Sequence, residues 1–146
     1  MADALLRPTR IYSKVLSGVI KEQSSLIKAM SHITGGGLLE NIPRVLPADM
    51  AVQLDASKWK MHNIFKWLGA VSDLSLEDFA LTFNCGVGMV LICAPDDVAV
   101  LLSLLQKQGE FPVIIGEVIP RAELKSGSYD VMGDAVGIAH AAASWR

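Results

Sequence analysis

The chain has 146 residues, 51% of them apolar, and a formal net charge of −2. That length suits a single domain with a substantial core. No stretch reaches the roughly 20 apolar residues of a membrane span, and the mildly acidic balance, with no Lys and Arg clustering among aromatics, argues against nucleic acid as a partner. Two cysteines in apolar settings, and a start without the charged and apolar regions of a signal peptide, suit a reducing, cytoplasmic location.

In chain order, Pro8 turns the first residues, and Thr9 is a candidate cap for a helix from Arg10 to about Glu22, with Ile11, Val15 and Val19 on its buried face. Leu26 to Ile33 reads as a short strand ending near His32. After three glycines, Leu38, Leu39, Ile42, Val45 and Leu46 make an apolar helical stripe closed by Pro47. Ala51 to Asp55 alternates as a strand with one solvated face. Asn63 to Val71 is a helix with Asn63 as candidate cap, and Ser75 with Asp78 opens another in a capping-box pattern. Val87 to Ala94 is continuously apolar and predicts a strand covered on both faces.

Pro95, Asp96 and Asp97 then open a helix that buries Val98, Leu101, Leu102 and Leu105 and stops at Gly109. Phe111 to Ile119 is expected to be a strand, with Gly116 allowing a bulge or a close neighbour. Residues 133–146 show neither cap nor period and are expected to be a disordered tail after a single domain over 1–132. The composite is an α+β domain, three layers α/β/α around a mixed sheet.

The stretch from His32 to Pro47 carries the chemistry. A strand running into Gly35, Gly36 and Gly37 and then a helix offers backbone N–H groups to an anion such as phosphate. The alternative is a tight turn that only needs unusual backbone angles. No GK[ST] follows, and the spacing is not that of a dinucleotide fingerprint. His32 and Thr34 lie at the mouth of the turn, where His32 suits proton transfer. Arg44 would suit a phosphate by turning back over the helix start; otherwise Glu40 and Arg44 are a solvated face. Cys85 has no evident base and reads as core. His32, His62 and His140 are far apart and no CxxC or HExxH occurs, so no metal site is expected.

Four strings resemble one family: PTRIY at 8–12, HITGGGLLENIPRVLP at 32–47, Trp59 with IFKWL at 64–68, and TFNCGVGM at 82–89. In collinear order over about residues 5–120, the chain is similar to the carboxy-terminal half of phosphoribosylformylglycinamidine cyclo-ligase, also called aminoimidazole ribonucleotide synthetase. The resemblance implies ATP-dependent closure of the imidazole ring of formylglycinamidine ribonucleotide in purine biosynthesis, as part of a multifunctional enzyme and a homo-oligomer. It implies ATP and Mg held mainly by an amino-terminal ATP-binding domain, and therefore an isolated chain without turnover. By the same resemblance His32 is catalytic, and Thr9, Tyr12, Thr34, Gly35, Gly36, Gly37, Asn41 and Arg44 bind substrate or phosphate. Two positions depart from the family pattern: Leu81 replaces a basic residue, and His62 replaces a proline. Leu81 motivates the alternative of a catalytically degenerate domain with the same fold.

Overall fold

The structure is a computed structural model describing residues 5–145. The first helix, α1, spans Ser13–Gln23, and Tyr12 holds its cap position without a side-chain hydrogen bond. Thr9 is therefore not the cap. The late start has a tertiary cause, because Arg10 is drawn to Glu110 and Tyr12 onto His32, which holds residues 10–12 off the helix. Val15 and Val19 of α1 pack against Leu101, Leu104 and Leu105 of helix α5 (Val98–Lys107), forming one of two main apolar clusters.

The strands form two sheets. Strands β1 (Ala29–His32) and β3 (Met89–Ile92) pair antiparallel, with His32 opposite Met89. The other sheet runs β4 (Gly116–Pro120), β2 (Met50–Asp55), β6 (Val136–Ala139), β5 (Val131–Met132), and within it β2 and β6 are parallel while the other pairs are antiparallel. Helices plus a mixed sheet make this an α+β fold. The second cluster fills the space between this sheet and helices α2 (Gly37–Asn41) and α4 (Leu76–Thr82), with Leu38, Ile42, Leu54, Phe79 and Ile138 at its centre. Helix α3 (Asn63–Val71) begins one residue after His62, so Asn63 lies inside the helix rather than at its cap. Ser75 does cap α4: its Oγ accepts from the Asp78 N–H at 3.0 Å and donates to the Asp78 carboxylate at 2.7 Å.

Three further expectations change. The strand expected over Phe111–Ile119 begins only at Gly116, and Phe111 is 95% exposed. Gly116 marks a close approach, since a Cβ there would run into the carbonyl oxygen of Gln53. The strand at 87–94 is shorter and half-buried along its length, because one side of it fronts an open apolar cleft of about 990 Å³. The cleft separates β3 and α1 from β2 and residues 111–118.

The third change is the tail. Residues 133–145 are ordered: β6 lies between β2 and β5, and the last helix, α6 (Ala141–Trp145), drives Trp145 to 2% exposure. The Trp145 ring meets Trp59 and Phe79, each at 6.3 Å between centroids. A boundary at residue 132 would thus cut the β5–β6 hairpin, whose turn is closed by the Gly133 N–H on the Val136 carbonyl at 2.8 Å.

Candidate functional site

Strings far apart in sequence converge on one open corner. The β1–β3 ladder ends there with the Ile33 N–H donating to the Gly88 carbonyl at 3.0 Å. His32, exposed, meets the ring of Tyr12 edge-on, with centroids 5.7 Å apart and planes at 72°. The Tyr12 hydroxyl lies against the Cα of Gly88. Arg10 stands 6.0 Å from the same ring and pairs with Glu110. Burial raises the Tyr12 hydroxyl pKa above the usual phenol value, and the Arg10 charge partly offsets this. The tryptophan string joins from behind: the Trp59 indole N–H donates to the Cys85 carbonyl at 2.9 Å.

Cys85 itself is fully buried at φ 51°, and burial pushes its thiol up to about 12. That thiol is a core group, since a nucleophile needs the thiolate. The Asn84 side chain accepts from the Gly86 N–H at 3.0 Å, which stabilises this turn locally.

The three glycines play different parts. Gly36 (φ 94°) and Gly37 (φ 54°) adopt left-handed angles that favour glycine. A Cβ on Gly37 would also collide with the Ala80 carbonyl oxygen, and one on Gly36 would meet the Glu40 side chain. Gly35 has neither constraint, and a Cβ there would meet nothing within 4 Å. Asn41, 5% exposed, brackets the turn with its side-chain amide, at 2.8 Å from the Gly37 carbonyl, 3.1 Å from Gly35 and 3.3 Å from Thr34. Arg44 turns back to donate to the Asn41 side-chain oxygen at 3.1 Å and to Glu40 at 3.2 Å. The Glu40 carboxylate lies over Gly36, so the open approach to this turn is at Gly35, beside the exposed Thr34.

The structure thus brings Tyr12, His32, Thr34, Gly35, Gly36, Gly37, Asn41 and Arg44 to one end of the domain, whereas Thr9 lies in exposed coil. Leu81 is exposed near the end of α4, and the carbonyls of its neighbours Ala80 and Phe83 back Gly37. Gly88 escapes a reading by motif, because its neighbour Tyr12 is distant in the chain and only the folded contact identifies it. A second polar cluster also escapes: at the ends of β2 and β6, Asp55 accepts from Ser57 Oγ at 2.6 Å and meets His140 Nδ1 at 2.8 Å. The Ser57 hydrogen bond, then His140, hold the Asp55 carboxyl down at about 2. No group of three or more His, Cys, Asp or Glu side chains able to hold a metal comes together among the described residues.

The chain is thus an α+β domain with an exposed histidine and a bracketed glycine turn on one open corner. The family pattern described as AIR synthase related protein, C-terminal domain, matches residues 1–127, and the chain belongs to that family. It is 49% identical over 123 residues to the trifunctional purine biosynthetic protein adenosine-3 of Homo sapiens, covering 84% of this chain and 12% of that protein. The Drosophila melanogaster protein of the same name is 45% identical over 125 residues, 86% of this chain and 9% of its own length. The Gallus gallus protein is 49% identical over 131 residues, 90% of this chain and 12% of its own length. The chain therefore spans only about a tenth of these relatives. No helix among the described residues is long and apolar enough to cross a membrane.

Proposed function

We propose that this chain is the substrate- and phosphate-binding half of an ATP-dependent cyclo-ligase that closes the imidazole ring of formylglycinamidine ribonucleotide. The observation that carries this reading is the convergence of the family strings on one corner: Tyr12 on His32, Ile33 on Gly88, and Gly37 on Ala80 and Phe83. In the proposed reaction the formyl amide oxygen attacks the terminal phosphorus of ATP and ADP leaves. An amidine nitrogen then attacks the activated carbon, and phosphate departs with the original oxygen, giving aminoimidazole ribonucleotide. An amide oxygen is otherwise a poor leaving group, so holding the phosphate and aligning the nitrogen carry most of the catalysis.

In this reading the turn at Gly35 with Thr34 receives a phosphate of substrate or nucleotide. Asn41 and Arg44 hold that turn in shape, Tyr12 flanks the substrate, and His32 moves a proton or polarises the amide oxygen. ATP with its Mg is held mainly by an amino-terminal domain of the same cytoplasmic enzyme, and no step here is routed through the metal. The apolar cleft of about 990 Å³ and the exposed Phe111, Val113 and Ile114 support a covering partner, that domain or a second copy in a homo-oligomer. The isolated chain then has no turnover. Combining it with the amino-terminal domain and following ADP release with formylglycinamidine ribonucleotide tests the reading. Substrate-dependent ADP release only in the mixture is expected, and its absence from a demonstrably assembled complex would overturn it.

A further inference from the structure

Glycine at position 88 is not a backbone requirement. Its φ lies outside the left-handed region that Gly86, two residues earlier, occupies at 93°. What excludes a side chain is Tyr12: a Cβ on Gly88 would collide with the Tyr12 hydroxyl and lie 3.0 Å from the ring carbon that bears it. The same ring stands edge-on to His32, 5.7 Å between centroids. Gly88 is fixed to this strand pair, since its carbonyl accepts from the Ile33 N–H next to His32 at 3.0 Å.

We propose that Gly88 is the seat of Tyr12 and, through that ring, a positioning residue for His32. The bare Cα lets the hydroxyl pack directly onto the strand at Gly88, which sets the ring as a backstop on one side of the imidazole and leaves the other side to the ligand. This rests on the catalytic reading of His32 given above. A substitution at 88 acts by displacing Tyr12, so its effect depends on the tyrosine hydroxyl.

The test is a double-substitution cycle on the full chain, with the His32 ring-proton shifts in the NMR spectrum as the first readout and kcat of the assembled enzyme as the second. G88A is expected to move the His32 resonances, because the neighbouring ring current shifts, and to lower kcat on the order of 10- to 100-fold by misplacement. In the Y12F background, where the colliding oxygen is gone and only the 3.0 Å approach to the ring carbon remains, adding G88A is expected to move the His32 resonances less and to lower kcat several-fold less than it does in the unaltered chain. Equal effects of G88A in both backgrounds, or unmoved His32 resonances in G88A, would overturn the proposal. If the resonances follow this pattern while H32A turns over normally, the positioning stands and the catalytic reading of His32 falls.

Discussion

The Cα of Gly37 lies against the carbonyl oxygen of Ala80, so a side chain at 37 has nowhere to go. Backbone cannot yield as the end of a flexible side chain does, and φ at 37 is already left-handed. G37A is expected to cost about 2–4 kcal/mol, combining the angle penalty with overpacking. G35A, in open space, is expected to change stability by less than about 1 kcal/mol. Urea unfolding of both variants checks the contrast, and phosphate titration of G35A should show weakened binding at unchanged stability.

Asn41 ties the turn to helix α2 with a nearly buried amide near three carbonyls. N41A leaves those oxygens without their donor and is expected to cost about 1–3 kcal/mol. N41D is expected to be worse, since a carboxylate cannot donate to carbonyls. Denaturant midpoints rank the two.

Trp145 closes the core from the far end of the chain. W145A is expected to cost about 3–5 kcal/mol through the cavity it leaves beside Trp59 and Phe79. Truncation after residue 132 removes β6 from the middle of its sheet and is expected to abolish cooperative unfolding. A truncated chain as stable as the full one would show that the tail does not complete the fold.

The Asp55 carboxyl, held down at about 2 against an ordinary 3.8, favours the folded state above pH 4. As pH falls from about 4 to 2, the unfolded chain takes up the proton first, so this stabilisation drains away across that window. D55N is expected to flatten that part of the acid-unfolding profile while leaving the order of other transitions intact. Matching profiles for D55N and the unaltered chain would show that Asp55 does not contribute to acid stability.

Much of this was written locally. The Ser75–Asp78 cap, the helix after Pro95 and the glycine turn follow from short-range backbone chemistry, and so they are found where the sequence puts them. Strand β6 was not, because its four residues include a glycine and its partner β2 lies far back in the chain. The extended stretch before Gly116 reads as strand by composition, but its pairing with β2 begins only at Ile115, whose carbonyl accepts from the Asp55 N–H at 2.9 Å. Of the site, His32 and the glycines were visible as residue types. Their separate duties were not, because Gly35, Gly36 and Gly37 differ only in what surrounds them once folded.

The position of Leu81 on the exposed side of α4 gives a direct check on the degenerate alternative. L81R restores the basic residue of the family pattern, and unchanged kcat in the assembled enzyme would show that Leu81 is no sign of decay. A gain of tenfold or more would favour it.

In the proposed function this domain supplies half of a cyclo-ligase site with His32 at its working corner. The most direct test is ADP release by the chain assembled with its amino-terminal partner domain, with and without H32A. Substrate-dependent turnover lowered on the order of 10²- to 10⁴-fold by H32A is predicted. Equal turnover of both assembled proteins, or steady ADP production by this chain alone, would contradict it.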